Sequence, residues 1–372
     1  MSVIFFIILA FKFSTNLSKV FELHKTGIYM IIRNNKPLFI CMAFILMVFS
    51  CTNSDEKAFR VIRDKELKKH EYINVKVKRF DEELFACNPD QLQKDLKKLQ
   101  KDFSPFLDTD LNDHRNLLEM EAYLDDISVR TLYEETMKQY PDITFLEVQL
   151  TDAFRRAKAV LPDFQVPEVY TYISGGDFEF PVKYAENNLI IALDMYLGDA
   201  YPVYSMWGIP KYITYRMRRE QIAVDCMKEI GRAYVDKYDI KNKTLLDRMV
   251  YQGKLLYFTD LTLPNIPDSI KVFYTTSQTG WASEYQGNVW AFFLDHEILY
   301  SNDLRTIQKF MNDGPFTSTF SKNSPPRIGH YIGWQIVRHC MKNNSEFQLT
   351  QLFNEINSAK ILQMSKYKPE KR

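Results

Sequence analysis

Apolar residues along this chain switch between two rhythms. Over residues 72–80, YINVKVKRF sets Ile73, Val75 and Val77 against polar neighbours, the two-residue period of a strand with one buried face. Beyond Pro89 the spacing changes. Leu92, Leu96, Leu99 and Phe103 in PDQLQKDLKKLQKDF recur at helical intervals, and Pro89 and Asp90 suit a helix start. Helical spacing continues over 114–139 and 143–161, so residues 71–165 read as a largely helical first part. Then come short β-branched or aromatic runs, EVYTYISGG (168–176), FEFPVKY (178–184) and NNLIIALDMYL (187–197), separated by Gly-Gly and Asn-Asn turns. They predict strands of a small mixed sheet. Residues 211–238 have the length and spacing of one long helix, residues 244–261 of a second, and the remainder to Lys368 is mainly helical. The predicted fold class is α/β (α+β) and helix-rich, a small mixed sheet packed on a long helix. One globular domain over 71–372 is expected, with a helical part 71–165, a core 166–262 and a helical part 263–372.

A different pattern precedes this body. PLFICMAFILMVF, Pro37 to Phe49, is uncharged and almost wholly apolar, and Arg33 and Lys36 stand before it. A membrane-spanning helix needs about 20 such residues, so the run suits the apolar region of a signal peptide better than a permanent anchor. Ser50 and Cys51 follow, and the stretch resembles a bacterial lipobox, in which the cysteine thiol is lipidated and cleavage leaves it first. Phe49 departs from the small or modest side chains usual at its position. The alternative is a free cysteine at the end of a signal anchor. On the lipobox reading residues 1–50 are a signal region, Met30 is the true start, and 51–70 is a lipidated cysteine with a charged, solvated tether. Acyl chains such as palmitate contribute roughly 0.8 kcal/mol per buried CH₂, enough in combination to hold a domain at a membrane.

Composition narrows the classes. The 372 residues carry 48 basic and 47 acidic side chains, a formal charge of +1, which gives no electrostatic footprint for nucleic acid. After Cys51 the chain keeps Cys87, Cys226 and Cys340, an odd number without paired spacing, so at most one disulfide can form and buried thiols are expected. No two histidines stand four apart on a predicted helix, and no metal or cofactor is expected.

The order of helices, sheet, long helix and second helix is that of gluzincin metallopeptidases. Those enzymes carry H-E-x-x-H on the first long helix, because the spacing puts both imidazoles on one face to hold zinc while the Glu polarises water. Aligned on REQIA and YQGKL, Arg219 replaces the first His, Glu220 keeps the Glu, Ala223 replaces the second His and Gln252 replaces a third ligand. The expectation is a zincin-like scaffold with a degenerate metal site. The alternative is that RREQIA is only a charged helix face. HEILY (296–300) has His296 and Glu297 but Tyr300 where a second ligand belongs, and it lies downstream of the helix that matters.

Near the C-terminus, SPPRIGHYIGWQIVR sets Gly329 and Gly333 on one helix face, where they permit close backbone approach, with Trp334 in an apolar stripe. Arg327, His330 and Arg338 are the candidate partner surface. This segment, together with GNVWAFF, LYSND, KRFDEELF and the lipobox, resembles the gliding motility lipoprotein GldB family of Bacteroidota, over Cys51 to about Ser358. The resemblance implies an envelope lipoprotein, more at the outer than the inner membrane, that is required for gliding in gliding species and associated with type IX secretion. It carries over no catalytic residue, only the lipidated cysteine onto Cys51. In that phylum acids such as Asp55 and Glu56 after the cysteine can direct export to the cell surface. The expected role is a non-enzymatic scaffold or assembly factor bound to envelope proteins. Two alternatives stand beside it: an envelope hydrolase with Glu220 as general base, and a peptide- or glycan-binding lipoprotein using the cleft between sheet and long helix.

Overall fold

Four strands form one mixed sheet: Val77–Arg79 (β1), Glu168–Tyr172 (β2), Val182–Ala185 (β3) and Asn188–Ala192 (β4). Their order is β1-β2-β4-β3 in the computed structural model, which describes residues 62, 64–237 and 243–371. β2 runs parallel to both β1 and β4, whereas β3 pairs antiparallel with β4. The two inner strands are buried almost throughout, which explains why EVYTY and NLIIA read as apolar runs rather than as alternation. A two-residue turn joins β3 to β4. Glu186 and Asn187 both have positive φ, as a type I′ hairpin requires, so the turn lies one residue before the expected Asn-Asn pair.

The alternation over 72–80 buries Ile73 and Val75, yet ladder pairing begins only at Val77. The reason lies in the backbone donors. Val75 N donates to Thr151 Oγ1 (2.9 Å) and Val77 N to Glu147 Oε1 (3.1 Å), both on a helix rather than a strand.

The principal helices are Leu92–Leu99 (α1), His114–Asp125 (α2), Ile127–Gln139 (α3), Thr144–Val160 (α4), Ile222–Val235 (α5), Leu245–Thr262 (α6), Asp268–Val272 (α7), Thr276–Asp295 (α8), Leu304–Met311 (α9) and Ile328–Asn343 (α10). Helical spacing over 114–139 resolves into two helices because Asp126 is extended and caps the second, accepting from Ser128 N (2.7 Å) and Val129 N (3.0 Å). Thr244 and Asp247 form a capping box that starts α6. That helix is the hub of the core, buried around nearly its whole circumference.

Two expectations need correction. The helix expected over 211–238 is broken: Lys211–Thr214 is one turn, Arg219–Gln221 a 3₁₀ turn, and α5 begins only at Ile222. Arg218, at φ −129° and ψ 153°, is extended between them, and Ile213 and Met217 still reach the core from the bend. At the other end, Asp64–Lys68 is already helical, so a tether over 51–70 stops short of its expected C-terminal boundary. Cys51, Met30 and the apolar N-terminal run lie outside the described residues. Among the described residues no helix is long and apolar enough to cross a membrane.

Candidate functional site

A cavity of about 560 Å³ opens between the chain leading into β3, the helices α5 and α6, the end of α9 and the first turn of α10. Of the four residues aligned with a zinc site, only Gln252, on α6, lines it. Arg219 and Glu220 are exposed on the 3₁₀ turn, where the Arg219 guanidinium lies 3.5 Å from the Phe145 ring centroid. Ala223 is fully buried. The four do not converge on one site.

The residues of α5 that face Gln252 across the cavity are Lys228, Glu229 and Arg232, together with Asp225. Their spacing matters. Lys228, Glu229 and Arg232 stand at i, i+1 and i+4, the intervals of H-E-x-x-H, further along the helix than REQIA. Gly231 lies between them, and a Cβ there would sit 2.9 Å from Phe258 Cδ1, so α5 and α6 pass closely at this level. That close glycine was the legible signal. A motif search keyed to histidines passes over KEIGR because lysine and arginine occupy the ligand positions.

Four cations and four carboxylates line the cavity, and of the carboxylates Glu179 is exposed. Arg232 pairs with Glu229 (3.2 Å), and Asp313 is shared between Arg327 Nε (3.0 Å) and Arg216 (3.5 Å). Arg327 Nε is near enough to Asp313 for an ion pair but is misdirected for a hydrogen bond and is left without one. Asp225 accepts from Tyr196 OH (2.8 Å), and burial pushes its carboxyl above the ordinary range. The Lys228 ammonium forms no ion pair with a described residue; it sits 3.4 Å from the centroid of the Phe273 ring. Burial, and then the neighbouring Arg327, Arg216 and Arg232, hold it well below its ordinary pKa, against the pull of Asp225.

His330 closes one wall. Its Nε2 donates to Met311 O (3.1 Å), and burial first, then Arg327 and Lys228, hold the imidazole neutral. Two residues at this wall have strained backbones. Phe273, at the end of α7, has φ 61°, and Arg327, at the N-cap of α10, has φ 49°. Side chains larger than glycine avoid this region, and such strain concentrates at functional sites.

The expected partner surface also needs correction. Arg327 and Arg338 are each only 6% exposed, and His330 is half-buried. Arg338 is held in the core because Asp260 and Asp268 supply the counter-charges that an arginine needs there. Arg327 and His330 face the cavity instead of open solvent. His296, in HEILY, is exposed and stacked on Phe292. Among the described residues no group of three His, Cys, Asp or Glu is placed to hold a metal ion.

A profile of the gliding motility protein GldB matches residues 62–369, most of the chain. The chain belongs to the GldB family. No curated protein and no solved structure matches it. Membership connects the chain with gliding motility, and the match takes in the sheet, the cavity and the SPPRIGHYIGWQIVR helix of this GldB-family protein.

Proposed function

We propose that this GldB-family protein is a lipid-anchored envelope protein, held through Cys51, that serves gliding motility as a scaffold or assembly factor linked to type IX secretion and not as a hydrolase. The observation that carries the reading is the identity of the residues at the cavity. Lys228 and Arg232 stand at the intervals where a zincin would place its histidines, and Gln252 stands across from them. The fixed guanidinium charge of Arg232 repels a divalent cation and offers it no lone pair, and Lys228 supplies no imidazole at the other position. A carboxylate such as Glu229, paired with Arg232, is a poor general base without a metal or a nucleophile.

A second reading has one observation behind it. β3 is an edge strand, paired only with β4 among the described strands, and the chain entering it lines the cavity. An extended peptide could add to such an edge.

The test has two arms on the full chain purified in neutral detergent. Incubation with zinc, desalting and metal analysis should leave far less than one zinc per chain. In cells, crosslinking should capture a fixed set of envelope proteins, and Cys51→Ala should release the protein from the membrane fraction. One zinc per chain, or a Cys51→Ala protein still lipidated and membrane-bound, would overturn the proposal.

A further inference from the structure

We propose that the cavity between α5, α6 and α10 is a binding site for a phosphate group, free or carried on a small organic molecule. The inference goes beyond the scaffold reading and stands or falls separately from it. Its basis is a cluster of basic side chains at Phe273 that the neighbouring carboxylates match only in part. Each carboxylate inside the recess is already engaged: Glu229 by Arg232, Asp313 by both Arg327 and Arg216, and Asp225 by the Tyr196 hydroxyl, while the fourth, Glu179, is exposed to solvent. Lys228 is left without an ion pair among the described residues, and Arg216 and Arg327 divide a single counter-charge.

Holding like charges together in a recess is costly, and the crowding is visible at Phe273. Lys228, Arg327 and Arg216 all lie against its ring, at 3.4, 5.1 and 5.6 Å from the centroid. An aromatic face stabilises each cation only modestly and does not remove their mutual repulsion. A dianion does. It supplies one negative charge for Lys228 and one for the pair that shares Asp313, where a monocarboxylate would leave one cation unmatched.

Donor geometry favours the same ligand. Arg327 Nε, 3.0 Å from Asp313, is buried at the cavity wall without a well-directed hydrogen bond. The first turn of α10, which brings Arg327 and His330 into the wall, has no side-chain cap, so the positive end of this 16-residue helix adds to the field. Guanidinium groups match phosphate oxygens with parallel donors, and a lysine adds a point charge. The volume of about 560 Å³ lies within the range of small-molecule sites and leaves room for an organic body beside the phosphate.

The experiment is calorimetric titration of the full chain in neutral detergent with inorganic phosphate and, separately, with glycerol 3-phosphate. One saturable site per chain is expected. Lys228→Met should weaken it at least tenfold, and so should Arg232→Gln, which alters an exposed residue and leaves the core intact; Lys228→Arg should keep most of the affinity. Tighter binding of glycerol 3-phosphate would assign the remaining volume to an organic body, and equal binding would assign the site to free phosphate. Both uphold the inference. No saturable binding of either probe, or equal affinity in wild type, Lys228→Met and Arg232→Gln, would overturn it.

Discussion

Gly253 on α6 lies directly against Gly333 on α10, so closely that a Cβ on either residue would overlap backbone of the other helix. For Gly333 the obstacle is the Met249 carbonyl, and for Gly253 it is Gly333 itself with Val337 Cγ2 2.9 Å away. One turn earlier on α10, a Cβ on Gly329 would stand 3.0 Å from Phe310 O. Backbone cannot yield as a flexible side chain can. Gly333→Ala should therefore cost roughly 1–3 kcal/mol or more, by overpacking, whereas Gly280→Ala, with nothing within 4 Å, should be neutral or slightly stabilising. Urea denaturation of the three proteins measures the difference, and equal midpoints would show that the two helices can separate freely.

Further along the same interface, Asp260 collects four donors inside the core. Arg338 grips it with Nε (2.7 Å) and an Nη (2.8 Å), Trp334 Nε1 donates at 2.8 Å, and Lys271 Nζ at 3.0 Å. Arg338 then reaches the more exposed Asp268 at 2.7 and 2.9 Å, tying α6, α7 and α10 together. Removing one member of a buried pair strands the other, at about 3–5 kcal/mol. Arg338→Met should lose that much stability. Arg338→Lys should lose less but still fail to restore the wild type, because an ammonium cannot make the two-pronged contact. Asp268→Asn, at the solvated end, should cost under about 1 kcal/mol. A loss of that small size for Arg338→Met would show that the network contributes little.

These two interfaces show what the sequence made legible. Gly329 and Gly333 stood out because a four-residue glycine spacing on an apolar helix has few other uses, and Trp334 belonged to the same stripe. Arg338 was misread as surface because its partners are 78 and 70 residues away, and nothing local marks a charged residue as satisfied. The break before α5 was hidden for a related reason: Ile213 and Met217 keep helical spacing while the chain bends between them and Ile222. Arg219 and Glu220 lie before that break, on the 3₁₀ turn and away from the cavity. Lys228 and Arg232 became visible only once the fold showed which face of α5 looks across at Gln252.

Asp194 makes the stability depend on pH. It is fully buried beneath the Gly-Gly turn, where it accepts from Ser174 N (2.8 Å), Ser174 Oγ (2.9 Å) and Gly175 N (3.0 Å). Burial outweighs those donors and pushes its carboxyl up to about 6, against 3.8 for an ordinary aspartate. Between those values the folded chain holds the proton that the unfolded chain has released. The contribution of this group is therefore present in full below about pH 4 and is lost as pH rises through about 6, with an amplitude on the order of 2–3 kcal/mol. Asp194→Asn should be less stable at every pH, because its NH₂ faces a backbone donor, and should lack this slope. Asp225, raised in the same direction, remains in both proteins, so the difference between their curves from pH 4 to 7 isolates Asp194. Parallel curves would sink the assignment.

The thiols give an independent check on the core. Cys226 and Cys340 are fully buried, Cys87 is half-buried, and all three are unpaired. Burial raises each thiol, so reaction needs both access and alkaline pH. In residues 52–372, a disulfide-exchange reagent should modify Cys87 alone, slowly at pH 7 and faster at pH 9. Cys226 and Cys340 should follow only when denaturant exposes them, at the rate of unfolding. Peptide mapping after a short labelling pulse identifies the residue. Early labelling of Cys340 would mean that α10 leaves its place against α6 in the native protein, which would undercut the close glycine packing and the buried Asp260 network together.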